Sequence, residues 1–351
     1  LYEAVESCSD FAIGLGINIP TGKDSLSMKQ KYKDQEVLSP GTVIISAAAN
    51  CNNISNIIEP VFQANNQDIY YINLANNNFN IGGSAFSQTL GFIGSSTIDS
   101  CNSSYFKKTF NIFQNLIKEN LISSGHDISS GGLITTLLEM CFSENNLGAD
   151  IDLNQFVEKD LIRLLFSESL GIVFQGKKEI EEVLNTNKIN YINIGKVTNN
   201  SKLEMKSGTN NIILDILKYR DIWFKTSYLL DQNQSGKIKA KERFENFKKH
   251  PLNFKFPNNF NGKINHYNLK KVKAAVIREK GSNSEREMAY AMALAGFEVK
   301  DVHMTDLISG RENLEDINFI VAVGGFSNSD VLGSAKGWAG SFLYNEKAKK
   351  S

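Results

Sequence analysis

The sequence predicts a multidomain protein of mixed α/β and α+β class that ends in an open parallel α/β sheet. Three observations carry this. At 351 residues the chain has room for two or three domains. From Val272 onward, strand, helix and strand signals alternate as they do in parallel sheets. Between 232 and 271 the composition turns basic and Asn- and Pro-containing, which separates that last part from the rest.

In order along the chain, Leu1-Tyr2-Glu3-Ala4-Val5 reads as a helix already under way, followed by a strand from Gly16 to Ile19 and a polar loop. A strand around Leu26–Tyr32 and an apolar strand at Thr42–Ala49 follow, the latter on the β-branched run Thr42-Val43-Ile44-Ile45. Asp68–Leu74 is another strand, and Asn80-Ile81-Gly82-Gly83-Ser84 leads into a helix. Over 104–122 the spacing of Phe106, Phe110, Phe113 and Leu116 predicts a helix with one core face. A loop at 126–132 precedes a helix over Leu133–Glu144. Segments 161–175 and 190–197 read as strands, with Gly171-Ile172-Val173-Phe174 as a short buried run. In the last part, Ala274-Ala275-Val276-Ile277 is a buried strand and Glu285–Ala295 a helix. Phe297-Glu298-Val299 starts a strand, and Phe319-Ile320-Val321-Ala322-Val323 is a strand ending in Gly324-Gly325. About eighty residues of this sheet are present, fewer than a doubly wound domain usually has, so it is expected to be truncated. Glu346 to Ser351 is helical again, and both ends read as cut from a longer protein.

Apolar content of 41% and charged content of 22% are ordinary for a soluble globular chain. The formal net charge of zero gives no global reason to expect nucleic acid or an acidic membrane as partner. Cys8, Cys51, Cys101 and Cys141 form no CxxC pair and match no zinc spacing, so they read as reduced cysteines of a cytoplasmic protein. From 236 to 273 there are eleven Lys or Arg against two acids. Phe244, Phe247, Phe254 and Phe256 in that stretch could stack on bases. The better reading is a basic linker whose phenylalanines tether it to its neighbours, since the rest of the chain is net acidic.

Three motifs could carry chemistry. Gly125-His126-Asp127-Ile128-Ser129-Ser130-Gly131-Gly132-Leu133 opens an apolar helix, whose unpaired N–H groups and partial positive charge attract phosphate. Asp127 is a hard oxygen ligand suited to Mg2+ shared with a polyphosphate, and Ser129 adds a hydroxyl. The alternative is plain capping by Ser129 or Ser130, with Asp127 complementing the helix dipole. Thr21-Gly22-Lys23-Asp24-Ser25 invites a phosphate-loop reading but has Ile17 where the first glycine belongs. Lys23 and Asp24 either point at a ligand or sit on an exposed hairpin. Gly324-Gly325-Phe326-Ser327 stands at the end of a parallel strand, where backbone N–H groups could form an oxyanion hole. No cysteine nucleophile follows Cys141, and His303 reads as structural.

Taken in order, several segments resemble one family. They are Ile19-Pro20-Thr21-Gly22-Lys23-Asp24-Ser25-Leu26-Ser27-Met28, His126-Asp127 through Gly132, and Leu165-Phe166-Ser167-Glu168-Ser169-Leu170-Gly171. Arg278-Glu279-Lys280-Gly281-Ser282-Asn283-Ser284-Glu285, Asp301-Val302-His303-Met304-Thr305-Asp306-Leu307, and Gly324-Gly325-Phe326-Ser327 with Asp330-Val331-Leu332-Gly333 complete the set. Over nearly the whole chain this order resembles the large, single-chain phosphoribosylformylglycinamidine synthase family.

The resemblance implies an enzyme that phosphorylates the amide oxygen of formylglycinamide ribonucleotide with ATP and lets ammonia released from glutamine displace the phosphate. It implies the end of an ATPase-type synthetase subdomain at 1–55 and an aminoimidazole-ribonucleotide-synthetase-like C-terminal subdomain at 56–222. A basic linker at 223–271 and the start of a class I glutaminase at 272–351 follow. Asp127 falls on the family's Mg2+ ligand and Ser129 on its ATP-contacting serine. Gly324 and Gly325 fall on the glycines of the glutaminase oxyanion strand. The glutaminase nucleophile is expected beyond Ser351 and the glycine-rich half of the synthetase before Leu1. The implied cofactors are ATP and Mg2+. The implied partners are small molecules and the remainder of the same polypeptide, with no nucleic acid and no membrane. Ile128, Ser130, Asn328-Ser329 and Ala335-Lys336 depart from the family pattern. The alternative is a non-catalytic nucleotide-binding or scaffold module, and the piece alone is expected to be inactive.

Overall fold

A computed structural model describes the chain except residues 21, 23–28, 40, 52, 76, 98–99, 144–145, 248, 250–254, 256, 259–271 and 331–332. The Lys23-Asp24-Ser25 segment, Phe254, Phe256, and Val331-Leu332 of the glutaminase-like motif therefore lie outside the described residues. The chain forms two compact units, Leu1–His250 and Pro251–Ser351.

The first unit begins with helix α1 (Tyr2–Leu15). Gly16, at φ 76°, ends it in the left-handed conformation, with its N–H bonded back into the last turn. The predicted strand from Gly16 to Ile19 is therefore a helix terminator followed by irregular chain. An exposed hairpin follows, β1 (Lys29–Tyr32) with β2 (Gln35–Leu38). Thr42–Ala49, predicted as a strand, enters no ladder among the described residues. β-branched residues favour an extended backbone, but a strand exists only where a second strand meets its N–H and C=O groups.

The remaining strands of this unit are β3 (Asp68–Asn73), β4 (Ile122–Asp127), β5 (Gly148–Asp152), β6 (Gly171–Gly176), β7 (Ile192–Thr198), β8 (Lys202–Ser207) and β9 (Asn210–Asp215). They form one sheet in the order β4-β6-β3-β7-β5-β8-β9, antiparallel throughout except for the β5–β8 pair. The helices are α2 (Ala85–Thr89), α3 (Ser103–Lys118), α4 (Gly132–Cys141), α5 (Leu161–Phe166), α6 (Ile180–Thr186), α7 (Ile216–Gln234) and α8 (Lys237–Asn246). Successive side chains of β3 serve two different cores. Ile69 and Tyr71 pack with Leu133, Leu137 and Met140 of α4 and with Leu164 of α5, whereas Tyr70 and Ile72 pack with Phe113 and Leu116 of α3 and with Ile180 and Leu184 of α6. A sheet covered on both faces explains why β3 reads as a continuous apolar run.

Three expectations need correction. Leu161–Phe166 is a helix, because the Asp160 carboxylate caps it by accepting the N–H of Ile162 at 2.9 Å. The helix predicted over 104–122 stops at Lys118, and Ile122 starts β4, so His126 and Asp127 end a strand paired with Val173 and Ile172 of β6. The stretch read as basic linker from residue 223 is helical up to Asn246. Phe247 stacks on Phe224 with ring centres 3.9 Å apart, and Phe244 stacks on Tyr228 at 4.8 Å. These two phenylalanines spend their ring faces against α7 of the same unit.

In the second unit, β10 (Lys273–Arg278) is central, with β11 (Glu298–His303) and β12 (Phe319–Ala322) parallel on either side. Ala274 and Val276 face Met292 of α9 (Glu285–Leu294). Ala275 and Ile277 face Leu307 of α10 (Met304–Ser309), as do Trp338 and Phe342 of α12 (Ser334–Tyr344) and Ala348 of α13 (Glu346–Lys350). The short α11 (Ser327–Asp330) lies between β12 and α12. Helices on both faces of a parallel sheet are the predicted open α/β arrangement.

Candidate functional site

Asp127 closes β4, and its carboxylate is 68% exposed, with Oδ1 3.3 Å from Nδ1 of His126. Its own carbonyl accepts from the Thr136 hydroxyl at 3.1 Å, which ties the strand end to the first turns of α4. The four residues that follow are pinned at both ends. Ile128 donates its N–H to the Gly171 carbonyl at 2.9 Å, and Gly131 donates its N–H to Glu168 Oε1 at 2.8 Å. Between these two bonds stand Ser129 and Ser130, both exposed.

The glycines are required by shape. Gly131 and Gly132 have φ of 90° and 72°, values that other residues adopt only under strain. A Cβ on Gly132 would lie 2.7 Å from the carbonyl oxygens of both Leu165 and Ser167. Neither serine caps α4. Its N-cap is Gly131, with no side-chain cap, and the Glu168 carboxylate stands at that positive helix end instead. The capping alternative is thereby corrected, and the Gly131 amide is already engaged within the protein.

Glu168 has a second bond. The same Oε1 accepts the N–H of Ala85 at 2.8 Å, the first residue of α2. The loop before it, Asn80 to Ser84, is held by the same segment, Ser167 Oγ donating to the Asn80 carbonyl at 2.9 Å; just ahead of both, Arg163 Nε donates to the Phe79 carbonyl at 3.3 Å, and its terminal nitrogen to that of Asn78. Three segments noted separately in the sequence, 80–84, 126–132 and 165–171, thus meet at one place. Behind the loop, His126 Nε2 lies 3.5 Å from Glu139 Oε2, and the indole N–H of Trp223 donates to Glu139 Oε1 at 3.0 Å. Glu168, Glu139 and Trp223 were not assigned roles from the sequence. An acid between two serines, after a short capped helix, is the one local sign of Glu168.

An exposed single carboxylate at a strand end suits Mg2+, which takes one or two protein carboxylates together with phosphate oxygens and water. Among the described residues no cluster of three or more His, Cys, Asp or Glu forms a closed metal cage. Asp127 and Ser129 are the exposed carboxylate and hydroxyl with which this loop could meet an ion and a nucleotide.

In the second unit, the chain after β12 crosses the chain after β10. Asn283 donates its N–H to the Gly324 carbonyl at 2.8 Å, and Asn328 donates to the Lys280 carbonyl at 2.8 Å. Gly325 has φ 130°, and a Cβ there would lie 2.9 Å from the Gly281 carbonyl oxygen. Gly324 and Gly325 thus sit at the carboxyl end of a parallel sheet, where such folds place their ligands. His303 caps α10 by accepting the N–H of Thr305 through Nδ1 at 3.2 Å.

The two units are similar to different domain families. Residues 74–207 match the AIR synthase related protein C-terminal domain, and residues 271–351 the CobB/CobQ-like glutamine amidotransferase domain. Residues 1–50 match the FGAR-AT PurM_N-like domain. Along its whole length the chain is similar to phosphoribosylformylglycinamidine synthases. It is 39% identical to the probable phosphoribosylformylglycinamidine synthase, chloroplastic/mitochondrial, of Arabidopsis thaliana, over 99% of this chain and 25% of that protein. It is 36% identical to the phosphoribosylformylglycinamidine synthase of Dictyostelium discoideum, over 100% of this chain and 29% of that protein. The chain thus spans between a quarter and a third of the length of these relatives. A solved structure, T. maritima PurL complexed with FGAR, aligns over 48% of this chain and 30% of its own at 15% identity and a TM-score of 0.41.

Proposed function

We propose that this chain supplies one wall of a nucleotide site, and the first part of a glutamine-hydrolysing domain, to a synthase that converts formylglycinamide ribonucleotide to formylglycinamidine ribonucleotide. The observation that carries the proposal is the loop after β4. An exposed carboxylate, Asp127, and an exposed hydroxyl, Ser129, are fixed by backbone bonds on either side. Asp127 contributes one ligand to a Mg2+ ion that neutralises the polyphosphate of ATP, and Ser129 contacts the nucleotide. Gly324 and Gly325 belong to the strand end that forms the oxyanion pocket of the glutaminase. The substrates are formylglycinamide ribonucleotide, glutamine and ATP, with the remainder of a longer polypeptide completing both sites. We place the enzyme in the cytoplasm, although the Arabidopsis thaliana relative is named chloroplastic/mitochondrial. Of the basic stretch at 223–271, the part after Asn246 serves as the connection between the two units, the part before it being helical.

The test is calorimetric titration of the chain with ATP in the presence and absence of Mg2+, and glutamine-dependent synthesis by the longer polypeptide. Asp127→Asn and Ser129→Ala are expected to weaken Mg2+-dependent binding and to slow synthesis. Normal ATP-dependent synthesis in the double variant would overturn the site assignment.

A further inference from the structure

The two glycine loops of the first unit are far apart in sequence and are joined through one oxygen atom. Glu168 Oε1 accepts the N–H of Gly131 and the N–H of Ala85, each at 2.8 Å. On the Ala85 side, Ser84 donates its hydroxyl to the Ile81 carbonyl at 2.6 Å and closes the turn. Gly83 bends it at φ 73°. A Cβ on Gly82 would fall 1.9 Å from the Ser96 carbonyl oxygen, so that loop cannot shift towards its neighbour. On the Gly131 side, Gly132 is pressed against the backbone of 165–167. Both loops are thus rigid pieces with little room, and the carboxylate between them sets their separation. A charged acceptor makes such bonds about twice as strong as a neutral one, and losing it leaves two amides without their partner.

We infer that Glu168 is the positioning residue of the Asp127–Ser129 site. It holds the 128–131 loop to the 81–85 loop, and so fixes where Ser129 stands beside Asp127, which β4 places. The identity of the ligand rests on the nucleotide reading above; the coupling of the loops rests on geometry alone.

The experiment compares the unaltered chain with Glu168→Ala and Glu168→Gln. It follows amide exchange at Ala85 and Gly131 by NMR without ligand, and Mg·ADP binding by calorimetry. In Glu168→Ala both amides are expected to exchange at least about tenfold faster, and Mg·ADP to bind about tenfold more weakly, while the amides of Ile69–Ile72 stay as slow as before. Glu168→Gln keeps an oxygen that accepts both N–H groups and is expected to restore slow exchange at both. If Glu168→Ala does not fold, Glu168→Asp, whose arm is one methylene shorter, is read at the same two amides and is expected to speed them together. Unchanged exchange, or a change at one amide alone, overturns the inference. Failure of the longer polypeptide, with these residues unaltered, to bind Mg·ADP would instead overturn the nucleotide reading, and the two amides would still decide whether Glu168 couples the loops.

Discussion

The indole N–H of Trp223 donates to Oε1 of Glu139 across 3.0 Å, and so links α7 to α4 through one side chain. The other oxygen of that carboxylate faces His126, next to Asp127. A hydrogen bond to a partly exposed carboxylate contributes about 1 kcal/mol. Glu139→Ala is expected to lower stability by about that amount and to shift the emission of Trp223 to the red, read in a Trp338→Phe background. Identical emission in both proteins would show that the bond does not hold the indole in solution.

The Asp127 carboxylate is 68% exposed, so replacing it should not disturb the fold. Asp127→Asn is expected to melt within about 0.5 kcal/mol of the unaltered chain while losing tenfold or more, in round terms about 1.4 kcal/mol, of its Mg2+-dependent nucleotide affinity. A large loss of stability with no loss of affinity would make Asp127 a structural residue.

Two glycines with the same backbone hand should respond differently. Gly132 has φ 72° and carbonyl oxygens where a Cβ would go, whereas Gly208 has φ 57° and open space. Gly208→Ala is expected to cost about 1 kcal/mol from backbone strain alone. Gly132→Ala should cost at least about 2 kcal/mol more, because the loop and the 165–167 backbone must separate. Denaturant midpoints at constant slope measure both.

Alkaline pH should destabilise the first unit through Cys141. Complete burial pushes its thiol up to about 12 from the usual 9.0. The folded pKa is the higher one, so the unfolded chain releases its proton first as pH rises. The contribution is therefore intact below pH 9.0 and is lost progressively from there towards about 12. Tyr70 acts with the same sign, since burial and its bond to Glu181 hold its phenol above the usual 10.0. Cys141→Ala is expected to be less stable at neutral pH because of the space it leaves, yet to lose less on going from about pH 8 to about pH 10.5. Equal losses in both proteins would remove Cys141 as the cause.

What the sequence made legible follows the reach of each signal. β3 and the alternation of β10, α9, β11 and β12 carry their own periodicity and stand where it placed them, and α3 does so up to Lys118. β4 was missed because Ser123-Ser124-Gly125-His126 has no β-branched run; its pairing with β6 makes it a strand. α5 was taken for a strand because six apolar-rich residues fit either period, and only the Asp160 cap decides. In the candidate site, Ser129 stands in the expected loop at a helix entry, whereas Asp127, expected in the same loop, ends β4; both are exposed. The bonds that fix the loop were not legible. Glu168 reaches partners 37 and 83 residues away, and Trp223 reaches one 84 residues away. No local pattern encodes such pairings.

Thr42–Ala49 has a further consequence, for handling the chain in a cell or a tube. Ile44 is 83% exposed and Ile45 is 55% exposed, in a stretch of high strand propensity that joins no ladder among the described residues. Such a stretch is a template on which identical copies can align, edge against edge, into insoluble assemblies. Concentrated chain is expected to scatter light increasingly with time, and Ile44→Lys, a gatekeeper charge, to delay that onset without changing the melting of the sheet domain. The residues with the strongest propensity in this region would then govern colloidal behaviour and contribute little to folding stability.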